Sequence, residues 1–372
     1  MISSKTRAAS RLIAAVGVSG LAAVALLGCT SAGGGDGGQG GGDQGGGDVV
    51  RVAYFIPTNV VERYEALDRP FFEEAMAELA PDAQVSFYNA QDDPAAQLRQ
   101  AEQAITEGAD ILVLNPVDLE AAKSIVEQAK QAGATVIGYD RAIPGAAVDF
   151  YVQVDGVEVG ELQGQWIADN TADGDVLAVI NGSESDDNAH AFRDGYMSVL
   201  QPLFDSGARV LGYESWTPDW DPANAQRQME QALTQLDNGV QGVMAANDGT
   251  AGGAIAALAS QGLAGTVPVT GLDATIPALQ RIVEGTQGMS VWRSLKEQSR
   301  LTAELIVSII NDEDPGDIVT STREDGGVEI PWVTVTPMII DATNIDLVVE
   351  DGAATKEEIC AGVSNDAIGF CD

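Results

Sequence analysis

The sequence predicts an α/β protein: two doubly wound parallel-sheet lobes joined by a multi-strand hinge. Three observations lead there. Short, apolar, β-branched runs recur about every thirty residues with helical patterns between them. That series is repeated on roughly 325 residues, more than a single core ordinarily holds. Polar residues also gather where predicted strands end, at Asp140-Arg141, Asn247-Asp248 and Asp273, and open α/β sheets bind ligands at the carboxyl ends of their strands.

Residues 1–28 read as a removable leader, with Lys5, Arg7 and Arg11 ahead of an apolar stretch from Leu12 to Leu27. The stretch closes on Leu26-Leu27-Gly28-Cys29, a lipoprotein cleavage box whose Cys29 takes the lipid; the plain alternative is an ordinary secretory signal or an uncleaved anchor. Residues 29–48 are the lipidated Cys and a tether. Gly33 to Gly47 is nearly all Gly with Asp and Gln, a flexible coil of about 20 Å typical reach. No later run is apolar for long enough to span a bilayer. The expectation is an extracytoplasmic body held to the cell membrane by its lipidated N-terminal Cys.

Strands are expected at Val49–Pro57, Gln84–Ala90, Asp110–Pro116 and Thr135–Asp140, with helices over Asp93–Gly108 and Asp118–Gly133. Their continuous apolar character is that of strands covered on both faces, and helices commonly stop at Gly. After Phe150–Asp155 a second series follows, near Val176–Asn181, Arg209–Glu214, Gly242–Asn247 and Val267–Gly271. Met289–Trp292 reads as one more strand, a long helix runs to Ile310, and the chain is extended again from Ile330. The first lobe is therefore expected over 49–153 plus 288–332, and the second over 154–287 plus 333–372.

Composition excludes several roles. Without the leader, 16 basic residues face 56 acidic ones, a net −40, so nucleic acid and anionic headgroups are poor partners. Only His190 and three Cys are present, which leaves no zinc or haem set, and no cofactor is expected. Asp312-Glu313-Asp314-Pro315-Gly316-Asp317 has its Gly misplaced for a calcium loop and reads as a solvated turn. Cys360 and Cys371 make either a terminal disulfide or two thiols; exported context favours the bridge. No Gly-x-Ser-x-Gly elbow, phosphate loop or nucleophile–base set marks an enzyme. A DNA-binding regulator would need a basic helix-turn-helix where the leader and tether stand.

The strand-end residues suit a small polyhydroxylated ligand, whose hydroxyl rim takes planar bidentate partners and whose C–H faces take aromatic plates. Candidates are Arg63, Tyr64, Asp140, Arg141, Asn188, His190, Trp220, Asn247, Asp273 and Arg293, with Tyr64 and Trp220 placed to sandwich a ring. Other readings remain: Trp220 as loop packing, Asp140 as a helix cap, Asn247-Asp248 as an N-cap, and His190 as a helix-surface residue.

The chain resembles the D-xylose-binding proteins of bacterial ABC importers, within the ribose/galactose-type periplasmic binding proteins, from about Val49 to Asp351. The matching stretches are Tyr139-Asp140-Arg141, Asp149-Phe150-Tyr151 with Val159-Gly160-Glu161-Leu162-Gln163, Asp187-Asn188-Ala189, Trp220-Asp221-Pro222-Ala223-Asn224-Ala225, Asn247 to Ile255, and Gly285-Thr286-Gln287. The resemblance implies sugar contacts at Arg63, Tyr64, Arg141, Asn188, Trp220, Asn247 and Asp273. It departs from the family at Tyr64, where the xylose receptors carry Trp, and at His190 and Arg293, where they carry Lys. What it implies is a monomeric, non-enzymatic receptor that closes on a monosaccharide, D-xylose foremost, and hands it to a permease and its ATPase. The alternative is a broader glucose/galactose receptor that also serves chemotaxis or a sensor kinase.

Overall fold

The computed structural model describes residues 49–325 and 327–372; the leader, Cys29 and the tether lie outside the described residues. The elements run β1 (Arg51–Ile56), α1 (Arg69–Leu79), β2 (Gln84–Asn89), α2 (Pro94–Thr106), β3 (Ile111–Leu114), α3 (Leu119–Ala132), β4 (Thr135–Tyr139) and β5 (Phe150–Val152). Then follow α4 (Gly156–Asp169), β6 (Asp175–Asn181), α5 (Asp187–Ser206), β7 (Arg209–Trp216), α6 (Pro222–Gln235), β8 (Gly242–Ala245), α7 (Asp248–Ser260) and α8 (Ile276–Val283). The last stretch holds β9 (Met289–Trp292), α9 (Leu295–Ile310), β10 (Ser321–Asp325), β11 (Val328–Val333), β12 (Met338–Asp341), α10 (Asp346–Asp351) and α11 (Lys356–Cys360).

Two sheets result. The first has the order β10-β11-β5-β4-β3-β1-β2, parallel except where β10 turns back on β11. The second has β7-β6-β8 in parallel, continued by single bridges Val243–Val269 and Leu272–Val291 to β9, which pairs antiparallel with β12. The expected strand at Val267–Gly271 is thus reduced to isolated bridges, because Thr270 spends its hydroxyl on the Ala245 backbone and the chain turns toward Asp273. The central strands β3, β4 and β8 are buried along nearly their whole length, as expected for sheets flanked by helices.

Lobe membership differs from expectation at one strand. Met289–Trp292, assigned to the first lobe from sequence, pairs in the second sheet, and the chain crosses back only at 293–294. The other crossovers fall at 153–155 and 334–337, so three segments connect the lobes.

Local chemistry sets the helix starts that aim at the cleft. Asp93, Asp118 and Asp155 accept backbone N–H groups in the first turns of α2, α3 and α4. In α7, Asn247 and Thr250 form a reciprocal capping box. The α4–α5 contact needs glycine: a Cβ at Gly160 would lie 2.1 Å from the Phe192 carbonyl oxygen.

Candidate functional site

The loops that follow β1, β4, β6, β7 and β8 contribute side chains to the space between the lobes. From the first lobe, Arg63 and Tyr64 follow β1, and Asp140 and Arg141 follow β4. Asp140 is a buried hub with a left-handed backbone, φ 62°. Its carboxylate takes the Tyr64 hydroxyl at 2.7 Å, Arg293 Nη2 at 2.8 Å, and Nη2 of Arg63. It caps no helix; its backbone N–H donates to Val152 O, which locks the turn. Burial pushes its pKa up, but the guanidiniums of Arg63, Arg293 and Arg141 outweigh that and hold the carboxyl far below its usual range. Behind it, Asp68 grips Arg63 Nη1 at 2.9 and 3.0 Å and accepts the Tyr139 hydroxyl at 2.8 Å.

From the second lobe come Asp186 and Asn188 at the start of α5, Trp220 after β7, Asn247 after β8, and Asp273 beyond the bridge segment; Arg293 sits in the second crossover. Asp186 does three jobs at once. It caps α5 through the Asn188 N–H at 3.0 Å, accepts Trp220 Nε1 at 2.9 Å, and pairs with Arg141 Nε at 2.8 Å. Trp220 has φ 57°, a conformation rare for a bulky residue and a mark of strain concentrated at a site. Its ring lies on Gly182, where a Cβ would come within 2.0 Å of it. Asp273, at φ 101°, is also strained.

These residues line a tight cavity of about 30 Å³, together with Val61, Phe192 and Leu272. A wider hollow of about 150 Å³ shares Val61, Asn247 and Asp273 with it but lacks the ionic network. The cleft is closed: Arg63 Nε lies 3.1 Å from Asp273, Arg141 meets Asp186, and Asn188 Nδ2 donates to the Asp140 carbonyl at 2.8 Å. Although both sit within ion-pair distance of a carboxylate, neither the Arg63 nor the Arg141 Nε–H is aligned for a hydrogen bond among the described residues. Two buried donors at a cavity wall are therefore open to a ligand acceptor.

The structure gathers Arg63, Tyr64, Asp140, Arg141, Asn188, Trp220, Asn247, Asp273 and Arg293 around one cavity. His190 is the exception. It is exposed, bonds the Glu184 carbonyl at 2.9 Å and leans on Trp216, because two residues of helix turn it about 200° from the cleft face that Asn188 occupies. Sequence reading missed Asp186 and Phe192. The signal for Asp186 was its place as the N-cap of the helix that Asp187-Asn188 opens; Phe192 follows Asn188 at the i+4 spacing of one helix face.

A family model described as periplasmic binding protein domain matches residues 52–314. The chain belongs to that family. The D-xylose-binding periplasmic protein of Escherichia coli (strain K12) is 36% identical over 311 residues, covering 83% of this chain and 92% of that protein. The D-xylose-binding periplasmic protein of Haemophilus influenzae is 37% identical over 301 residues, 80% of this chain and 89% of its own. Among solved structures, a carbohydrate transporter solute binding protein from Chloroflexus aurantiacus in complex with D-glucose matches with a TM-score of 0.77 and 27% identity, covering 82% of this chain and 97% of that one. This periplasmic binding protein has the α/β, mostly parallel-sheet fold expected from its sequence.

Proposed function

We propose that this periplasmic binding protein is the receptor of an ABC importer that binds D-xylose between its lobes and delivers it to the permease. The observation that carries the reading is the polar cleft, where Asp140, three arginines, Asn188, Asn247 and Asp273 converge on one space beside the Trp220 ring. The similarity to two D-xylose-binding proteins supports the same ligand. In this reading Asp140, Asp273 and Asn247 accept or donate to ring hydroxyls, the arginines donate, and Trp220 stacks on a C–H face. Tyr64 spends its hydroxyl on Asp140 and presents its ring from the opposite lobe.

The sugar contacts both lobes, so it binds the closed form better and draws the hinge shut. The protein is a binding component and not an enzyme. It works as a monomer, anchored through lipidated Cys29 by the glycine tether, with the first lobe formed by 49–152, 295–333 and the second by 156–292, 338–372. A broader aldose receptor is the second reading, favoured by the Arg293 replacement and by the glucose-bound structural relative.

Calorimetry on the mature chain carrying Cys29→Ser, with D-xylose, D-glucose, D-galactose, L-arabinose and D-ribose, tests both. Xylose binding at about −8 kcal/mol or better, with the hexoses much weaker, supports the first. Comparable glucose or galactose affinity selects the second, and no heat from any of them sinks the monosaccharide reading. Lipidation is tested by membrane partitioning of the full-length protein with and without Cys29→Ser.

A further inference from the structure

We infer that Arg323 is a positioning residue that latches the closed cleft and orients Asn188 from outside the cavity; the inference rests on the proposed closure around a sugar. Arg323 lies on β10 in the first lobe. Its Nη2 donates to Asp187 Oδ2 on α5 of the second lobe at 3.1 Å, and its Nη1 donates to Gln153 Oε1 at 2.9 Å. Gln153, in the first crossover, donates from Nε2 to Asn188 Oδ1 at 2.9 Å, and Asn188 Nδ2 donates to the Asp140 carbonyl at 2.8 Å. An amide has one accepting and one donating end. Engaging Gln153 Oε1 therefore turns its NH₂ to Asn188, which must accept with Oδ1 and present its own NH₂ to Asp140. One guanidinium thus sets the orientation of two amides, the second of them at the cavity wall.

Arg323 is itself held in place. Its guanidinium carbon is 5.7 Å from the Tyr151 ring centre and 5.9 Å from that of Trp332. Trp332 Nε1 donates to the Gln153 carbonyl at 2.8 Å. Asp325 ties the same hairpin to the Gly145 N–H at 2.6 Å and the Tyr151 hydroxyl at 3.3 Å. The latch is thus fixed on one lobe while Asp187 rides on the other, so the pair exists only when the cleft is shut. Arg323 and Asp187 are 29% and 22% exposed, which makes the contact sensitive to salt. Neither they nor Gln153 line the cavity, so removing them takes nothing directly from the ligand.

The test is stopped-flow tryptophan fluorescence on the mature Cys29→Ser chain, with D-xylose as the ligand. Arg323→Ala should raise koff roughly 3- to 10-fold with kon within about two-fold, since the contact forms after encounter. Asp187→Asn, which leaves the hairpin intact and serves if Arg323→Ala folds poorly, should give a rise of similar size. The double variant should show less than the product of the two effects, and Arg323→Lys should recover part of the loss. The koff of the unaltered protein should climb with ionic strength while that of Arg323→Ala stays flat. An unchanged koff in Asp187→Asn, fully multiplicative effects, or equal salt dependence in both proteins would overturn the latch. Absence of sugar binding by the unaltered protein would overturn the proposed function instead, and the latch with it.

Discussion

Replacing Asp140 by Asn removes one charge from the centre of the cavity while leaving the shape. Asn tolerates the left-handed φ of 62° as well as Asp does, so backbone strain is held constant. The carboxylate currently satisfies Arg293 at 2.8 Å, the Tyr64 hydroxyl at 2.7 Å and Arg63. Removing one partner of a buried ion pair costs about 3–5 kcal/mol. Part of that is recovered here, because Arg63 keeps Asp68 at 2.9 Å and Asp273 at 3.1 Å, and Arg293 keeps Gln298 at 3.0 Å. The expected loss of stability is about 2–3 kcal/mol, read by urea denaturation without sugar. For a ligand hydroxyl bonded to Asp140, a lost charge-assisted bond of about 1.5–3 kcal/mol raises Kd roughly 10- to 150-fold by calorimetry.

The pH dependence carries a further check. The folded pKa of Asp140 is depressed, so its stabilisation is complete above the unfolded carboxylate range and is lost as pH falls below it. The stability gap between the unaltered protein and Asp140→Asn should be flat from about pH 7 to 5 and shrink below about pH 4. Stability and affinity both within about 0.5 kcal/mol of the parent would refute the view of Asp140 as the hub.

Four further substitutions probe distinct parts of the site. Trp220→Phe keeps a stacking ring but loses the bond to Asp186, and should weaken sugar binding about 3- to 10-fold in calorimetry. Gly182→Ala puts a Cβ within 2.0 Å of the Trp220 ring, so the ring must move; affinity should fall further than in Trp220→Phe, and an unchanged Kd would show that the ring has room. His190→Ala should alter Kd less than about two-fold, since the side chain sits on the exposed face of α5. Asp248, buried at the start of α7, has its pKa pushed up by burial to about 6. The folded state then holds a proton that the unfolded state has released, so stability should decline as pH rises from about 4 to 6. Asp248→Asn should lack that component in urea titrations run across the range, and an identical pH profile in both proteins would contradict it.

Much of this arrangement was readable because it depends on local signals. Apolar strands ending in Asp140-Arg141 or Asn247-Asp248 declare both the sheet and the side where the cavity forms. The strand at Met289–Trp292 was also visible, but its sheet was not, since pairing with Leu272 and β12 is a long-range choice that periodicity does not encode. Asp186 was hidden for another reason. Its cap to the Asn188 N–H is local, whereas its ion pair with Arg141 and its hydrogen bond from Trp220 join residues far apart in sequence. His190 erred in the opposite direction, because proximity to Asn188 in sequence carries no information about which face of a helix a residue takes.

The three crossovers have a consequence for how the molecule is made. Neither lobe is a continuous stretch of chain, and β5 gains its neighbour β11 through Tyr151–Trp332 only when residues some 180 positions later have arrived. Likewise β9 waits for β12. A chain emerging from its N-terminus can build the β1–β4 core early, yet it leaves the β5 edge of the first sheet and one flank of the second unpaired until nearly the last residues appear. Assembly is thereby delayed to the end of synthesis, which suits a polypeptide that has to be threaded through a membrane before it folds.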